Sequence, residues 1–263
     1  MDLSIIILNY KAKGLVKQCL KGIKLLNLAL DYEIIVVDNH SEDSSVTMIK
    51  EQFPKIKLIE SDKNRGFAVG NNLGLKEAQG KYVMILNPDI TVLEGAIEKM
   101  HEFMEANPAV GVCGPKLINP DGTVQHSCYH FPKFMVPIYR RTFLGKLPWA
   151  KKTLRHYLMM DWDHNENRAV DWLLGACLFV RQSAVNQVGL LDERFFLYFE
   201  DIDWCRRFWQ SGFGVYYIAE AEMVHYHQRL SAENPGLRAL FSNMTRIHIA
   251  SWIKYFAKYL GTK

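Results

Sequence analysis

The stretch Lys81-KYVMILNPDITVLEGAIEKM-Met100 decides the fold. Its first half is a short apolar run, too short for a helix and rich enough in β-preferring residues to be a buried strand. It ends in Asn87-Pro88-Asp89. Leu93, Ile97, Met100 and Met104 then recur at helical spacing, so the stretch reads as a strand, a turn and an amphipathic helix. Pro88 removes a backbone donor and stiffens the approach, which presents the Asp89 carboxylate rather than folding it back. The plainer alternative is a turn residue that caps the next helix.

The same unit recurs upstream. "LSIIILNY" (Leu3 to Tyr10) and "EIIVVDNHS" (Glu33 to Ser41) are apolar runs closed by polar groups. Leu15, Cys19, Ile23 and Leu26 give a helix between them. Ser41, Glu42 and Asp43 read as an N-cap and acidic first turn before Val46, Ile49 and Phe53. "KIKLIES" and a Gly-punctuated helix, Gly66 to Gln79, continue the alternation. Strand and helix in turn predict an α/β fold with a mostly parallel, doubly wound, Rossmann-like sheet and helices on both faces. Such sheets bind ligands beyond the carboxyl ends of their strands. Asn9, Asp38, Asn39, Asn87 and Asp89 gather there.

The second half is less regular. "AVGVCGPKLINPDGTVQHS" predicts a strand, a loop at Asn119 to Gly122 and a returning strand. Residues 128–168 are rich in Lys, Arg, Trp, Tyr and Pro without a steady period, and read as an insertion lying over the site. "DWLLGACLFVRQSAVNQVG" predicts a strand and short helix, and Glu200 to Ser211 a helix that ends at Gly212. "VYYIAEAEMVHYH" closes the sheet. A single domain over 1–236 follows, with 1–110 as the nucleotide-binding half, 111–236 as the acceptor and catalytic half, and a cationic amphipathic helical extension over 237–263. The extension carries Trp252, Tyr255, Phe256 and Tyr259, for which packing on the domain is the plainer reading and a membrane-surface role the alternative.

Composition narrows the classes. With 263 residues, 49% of them hydrophobic, the chain can bury a full core. A net charge of +4, with no arginine-rich arm, argues against nucleic acid and leaves an anionic small ligand or membrane surface open. The five cysteines contain no CxxC pair, which points to reduced thiols in a cytosolic protein and away from zinc or disulfides. No apolar run approaches the roughly 18 to 20 residues that span a bilayer, and no signal peptide precedes the first strand.

Several residues carry chemistry. Asp38 at a strand end could accept hydrogen bonds from a nucleobase or ribose, or cap the following helix. Asp89 with open coordination positions suits Mg²⁺ or Mn²⁺ bound mainly through substrate phosphates. "NRGFAVGNNLG" (Asn64 to Gly74) sets Arg65, glycines and paired amides at a helix start, a weak nucleotide cradle by itself. Glu200 and Asp201 crowd a helix N-terminus, where the dipole stabilises carboxylates or a cleft holds a general base. Asp203 reads as structural, pairing with Arg206 or Arg207. His225 and His227 share one face of an extended segment, and their third metal partner would be Asp89.

In order and wording, "SIIILNY", "IIVVDNHSEDSS", "NRGFAVGNNLGL", "YVMILNPDI", "VDWLLGACLFVRQSAVNQVGLLDERFFLYFEDIDWCRRFWQSGF" and "VHYH" resemble the family 2 glycosyltransferases, inverting enzymes of the GT-A fold, and their rhamnosyltransferase-like branch. The resemblance covers nearly the whole chain apart from the insertion. It implies nucleobase contact by Asp38, a metal carboxylate at Asp89, a general base at Asp201 beside Glu200, and metal or diphosphate assistance from His225. Tyr10, Asn39, Arg65 and Asn71 would line the nucleotide side, with Gly175 and Ala176 facing the sugar. Asn87 stands where a stricter Asp-x-Asp pattern has its first aspartate. The implied reaction moves a sugar from a nucleoside-diphosphate sugar, dTDP-rhamnose first and a UDP-hexose second, to a glycan or lipid-linked glycan at the cytoplasmic face of a membrane. A non-catalytic nucleotide-sugar-binding subunit and a nucleotidyltransferase are the rival expectations.

Overall fold

The computed structural model describes residues 1–226 and 242–261; His227 and Arg229 lie outside them. The chain opens with β1 (Leu3–Asn9), α1 (Lys13–Leu25), β2 (Tyr32–Asp38), α2 (Ser45–Gln52), β3 (Lys57–Glu60), α3 (Gly66–Glu77) and β4 (Tyr82–Leu86). β5 (Ile90–Val92), α4 (Ala96–Ala106), β6 (Val110–Ile118) and β7 (Cys128–Tyr129) follow. Within the expected insertion lie α5 (Val136–Arg141), a 3-10 turn (Phe143–Lys146) and α6 (Pro148–Tyr157). Then come β8 (Arg168–Ala169), β9 (Trp172–Leu173), β10 (Cys177–Arg181), α7 (Gln182–Val188), α8 (Glu200–Gln210), β11 (Gly214–His225) and α9 (Asn243–Lys258).

The main sheet has the order β3-β2-β1-β4-β10-β6-β11-β5, with β8 also on β11. β3, β2, β1 and β4 are parallel, as are β6 and β11, while β10 runs against both neighbours. The sheet is buried on both faces, which is why its central strands are continuous apolar runs. Leu3, Ile5, Ile7, Val36 and Met84 meet α1, α2 and α4 on one face; Ile6, Val83, Ile85 and Val180 meet α3, α7 and α8 on the other.

Register puts the polar residues at one edge. Asn9 is the partner of Asp38, so the two parallel strands end side by side. Because β10 is reversed, its first residue, Cys177, lies opposite Leu86 at the end of β4. Gly175 and Ala176, just before β10, therefore arrive at the carboxyl edge from the opposite direction. The sequence Ile90–Val92, expected to enter a helix, instead forms β5, antiparallel to β11 with His225 opposite Ile90. The helix begins at Ala96 and leaves Leu93 outside, because pairing with β11 satisfies the backbone groups that a helix would have used.

One local expectation is corrected and another holds. Ser41 does not cap a helix: its hydroxyl takes hydrogen bonds from Asn9 Nδ2 (2.9 Å) and the Lys11 N–H (3.1 Å), so it ties two loops together. Asp43 does the local work, accepting from the Ser45 N–H at 3.0 Å. The aromatic stripe of α9 faces inward, with Tyr255 fully buried and Trp252 and Phe256 packed on the same core.

α3 lies close to the sheet because small residues face it. A Cβ on Gly74 would come within 2.5 Å of Ile6 Cγ2 and 3.4 Å of Val37 Cγ2, both on stiff β-branched side chains. Gly22, inside α1, has open space around it. We expect opposite signs in urea unfolding: Gly74→Ala loses about 1–3 kcal/mol by overpacking, whereas Gly22→Ala gains about 0.5–1 kcal/mol from helix propensity.

Candidate functional site

The carboxyl edge holds three linked groups of side chains. At the ends of β1 and β2, Asn9 Nδ2 donates to Asp38 Oδ1 (2.8 Å) and the Ser41 N–H to Asp38 Oδ2 (3.0 Å). Asp38 is thus buried and engaged by its own loop; it does not cap the following helix, which starts only at Ser45. Asn39 is saturated: its amide donates to Asn64 Oδ1 (3.0 Å) and the Gly66 carbonyl (3.2 Å), and its carbonyl accepts from the Arg65 N–H (2.9 Å). The Arg65 guanidinium turns to Asp62 on the surface at 2.7 Å. Tyr10 is exposed beside the Lys11 ammonium. Gly66 starts α3 at φ 79°, and a Cβ there would overlap the Phe196 carbonyl, so only glycine admits the approach of the segment that leads into α8.

At the centre, the Asn87 N–H donates to the Ala176 carbonyl (2.8 Å), and the Gly175 N–H to Asp201 Oδ2 (3.0 Å). The end of β4, the turn before β10 and the start of α8 are joined in one hydrogen-bonded chain. Asp201 Oδ1 accepts from the Ile202 N–H at 2.8 Å. Burial pushes the Asp201 carboxyl up to about 6, against the opposing pull of these amide hydrogen bonds. Burial, with repulsion from Asp201 added, raises Glu200 well above the usual carboxylate range. Both carboxyls are thus raised by burial, and Asp201, held by the Gly175 and Ile202 amides, is the more readily ionised of the two.

The third group is the Asp89 edge. Asp89 Oδ2 lies 3.5 Å from His225 Nε2, and the Asp89 carbonyl accepts from the Tyr226 N–H at 2.9 Å. His225 Nδ1 sits 2.6 Å from Gln125 Oε1. Hydrogen-bond polarity can be followed inward from a group that can only accept. The Asp121 carboxyl is held below its usual range by Thr123, whose hydroxyl donates to it at 2.6 Å. That hydroxyl then accepts from Asn119 Nδ2 (2.9 Å), and Asn119 Oδ1 from Gln125 Nε2 (3.0 Å). Gln125 is left with its carbonyl toward His225, so Nδ1 carries the proton and Nε2 faces Asp89. Nothing in the sequence singled out Gln125; its role exists only because the Asn119–Gly122 turn folds the chain back along β6, which lies beside β11.

Of the buried polar side-chain atoms with no hydrogen-bond partner among the described residues, Asn9 Oδ1, Asn71 Oδ1, Asp89 Oδ1 and Glu200 Oε2 all belong to residues singled out from the sequence. Unpaired buried polar atoms are costly, and these four of the ten among the described residues lie where a ligand could pair them. Among the described residues no group of three or more His, Cys, Asp or Glu could enclose a metal. One carboxylate with an orphaned oxygen and one imidazole instead fit a hard divalent cation that takes its remaining ligands from substrate. A hollow at the opposite edge, lined by Met1, Gly80, Lys81 and Arg181, contains none of these groups. Asp203 is structural: it receives Arg207 Nε (2.9 Å), Lys258 Nζ (2.5 Å) and the Tyr259 hydroxyl (2.8 Å).

Comparison with known proteins agrees with this layout. The model of glycosyl transferase family 2 matches residues 4–158, more than half of the chain. An N-acetylglucosaminyl-diphospho-decaprenol L-rhamnosyltransferase of Mycobacterium tuberculosis (strain CDC 1551 / Oshkosh) is 28% identical over 217 residues, 77% of this chain and 69% of that one. Rhamnosyltransferase WbbL of Escherichia coli (strain K12) is 26% identical over 97% of this chain and 92% of its own. Among solved structures, GalNAc-T7 with UDP, GalNAc and Mn²⁺ superposes with a TM-score of 0.67 at 12% identity, over all of this chain, which spans about half (48%) of that one. S. aureus TarS 1–349 in complex with UDP-GlcNAc gives 0.59 at 14% identity, over 87% of this chain and 59% of that one. At these identities the superpositions show the fold.

The direction of the Gln125 chain is testable without substrate. In long-range ¹H–¹⁵N spectra of the neutral His225 ring, we expect the proton on Nδ1 in the native chain and a shift toward Nε2 in Gln125→Leu. The same tautomer in both would show that Gln125 does not set it.

Proposed function

The chain belongs to glycosyl transferase family 2, and from that premise we propose that it transfers a sugar, with inversion, from a nucleoside-diphosphate sugar to a hydroxyl of a glycan or lipid-linked glycan in surface polysaccharide synthesis. The donor is dTDP-rhamnose first and a UDP-hexose second, in keeping with the rhamnosyltransferases that the chain resembles. The observation that carries the reading is the acid pair: a buried carboxylate raised to about 6 but still ionised at neutral pH, anchored to the Gly175 amide in the turn beside β4.

In this reading Asp201 accepts the proton of the acceptor hydroxyl as its oxygen attacks the anomeric carbon. The bond from that carbon to the diphosphate oxygen breaks on the opposite face, so one displacement inverts the centre. Glu200, raised further than Asp201, ionises after it, and the helix dipole supports the Asp201 carboxylate. Asn9, Tyr10, Asp38, Asn39, Arg65 and Asn71 form the nucleotide side, Asn39 by holding the Arg65–Gly66 turn. Ala176 and Asn87 frame the sugar. Asp89 and His225 would hold a divalent cation, Mg²⁺ or Mn²⁺, which would supply charge neutralisation for the departing diphosphate. Residues 1–236 act as one catalytic unit, with α9 fastened to it through Asp203.

Asp201→Asn is expected to bind nucleotide sugar nearly as the native chain does and to lose transfer by at least about 100-fold. Nucleoside diphosphate release, followed against pyrophosphate release, measures it; transfer at the native rate removes Asp201 as the base. The native kcat/KM should also fall as pH drops through about 6, because the base must be unprotonated to accept. Asp89→Ala should weaken Mn²⁺-dependent donor binding in calorimetry, and titrations that are equal with and without EDTA in the native chain would remove the metal from the account.

A further inference from the structure

The insertion between β7 and β8 carries a surface that no part of this reaction uses. Between 133 and 155 the sequence has seven Lys or Arg residues and no Asp or Glu, more than the chain's entire +4 excess. Of the sixteen large apolar side chains left exposed among the described residues, five lie between 134 and 149. Phe143 is 77% exposed, Trp149 54% and Phe134 52%, where a monomer in water gains nothing from presenting them. They are not strays on a loose loop. Trp149 meets the Tyr139 ring edge-on at 5.2 Å, Gly145 lies against the Tyr139 carbonyl, and Phe134 stacks on Trp252 of α9 at 4.6 Å. The 3-10 turn between α5 and α6 is thus a braced projection with Phe143, Leu147 and Trp149 at its exposed end. Arg140, Arg141, Lys146, Lys151 and Lys152 surround it, all exposed.

We propose that this projection is a membrane-docking wedge, which seats Phe143, Leu147 and Trp149 at the headgroup boundary of an anionic lipid surface while the surrounding Lys and Arg meet its phosphates. The combination selects the partner. Protein interfaces are depleted in Lys, whereas interfacial membrane segments join aromatic and aliphatic side chains to Lys and Arg. Nucleic acid would use the charges but leaves Phe143 and Leu147 without a role. Each base near the surface adds attraction to an anionic leaflet, and one aromatic anchor without them would bind weakly.

The wedge is also coupled to the acid pair. Tyr157, the last residue of α6, stacks on Tyr129 (5.3 Å), and Tyr129 on Trp172 (4.4 Å), three residues before the Gly175 amide that holds Asp201. The charges of Arg140 and Asp201 both bear on the Tyr157 phenol. The wedge is therefore joined through this aromatic stack to the segment that carries Gly175. This deepens the lipid-linked acceptor reading and rests on it only for its purpose; the aromatic stripe of α9, by contrast, is spent on internal packing.

The test uses the full chain and sedimented vesicles, either pure phosphatidylcholine or an equimolar mixture with phosphatidylglycerol. The native chain is expected to sediment with the mixed vesicles only, and less as salt rises. Phe143→Ser with Trp149→Ser should reduce the bound fraction roughly tenfold, and Lys151→Ala with Lys152→Ala about fivefold for each charge removed. Leu25→Ser, at an exposed apolar site on α1, should change nothing. Thermal melts matching the native chain show that the variants are folded. Failure of the native chain to bind mixed vesicles, or undiminished binding by the Phe143 and Trp149 double variant, would overturn the wedge. So would equal competition by soluble polyphosphate, which would make the patch a general anion site. Transfer to a water-soluble acceptor should survive in the double variant; its loss in Asp201→Asn tests the catalytic reading separately.

Discussion

Everything at the carboxyl edge depends on the direction of one strand. β10 runs antiparallel between β4 and β6, so its beginning, not its end, meets the ends of the parallel strands. A fifth parallel strand would have delivered Arg181 to this edge and sent Gly175 and Ala176 to the far side. Reversed, β10 brings a turn whose carbonyl takes the Asn87 amide and whose amide holds Asp201. β5 makes a similar correction on a smaller scale, since pairing with the last residues of β11 sets Asp89 against His225. Hydrogen-bonded register, rather than a dedicated loop, assembles the parts.

The edge is also where the fold gives up stability. Glu200 and Asp201 are both buried at the start of α8, where Asp201 accepts from the Gly175 and Ile202 amides. Desolvation raises both carboxyls, which costs folding free energy at neutral pH relative to an apolar pair. The sign is set by the direction of the shift: the folded state holds the Asp201 proton more tightly than the unfolded chain, so that part of the stability is lost as pH rises from about 4 toward 6. A few polar atoms left unpaired at Asn9, Asn71 and Asp89 add to the same debt. A surface meant only to cap a sheet would have been relieved of these groups.

Most of the architecture was legible because its signals are local. Apolar runs closed by polar residues located β1, β2 and β4, and helical periodicity located α1, α4 and α8. Asp203 was read correctly as a structural partner of Arg207, four residues on. What stayed hidden depends on pairing between distant segments. Ile90–Val92 is β-branched throughout but too short to stand as a strand alone, and becomes β5 because β11 passes beside it. Ser41 looks like a helix cap until Asn9 claims its hydroxyl. Gln125 acquires meaning from His225, a hundred residues away. Side chains at the carboxyl edge were named from strand ends alone, and the structure sorts them: Asn39 and Asp38 are engaged by their own loops, while Asp89 and Glu200 each keep an unpaired oxygen.

The clamp on Asp203 has a consequence in time. Asp203 is fully buried and shares one helix with the acid pair, and one of its two cations, Lys258, lies 55 residues further along the chain. During synthesis from the amino end, α8 emerges long before Lys258 and Tyr259 exist. Until they arrive, Arg207 alone offsets a carboxylate that the finished fold removes from water. The helix that presents Asp201 is therefore finished last although it is made earlier. A chain that ends before Lys258 would have its nucleotide half complete and Asp203 offset by Arg207 alone.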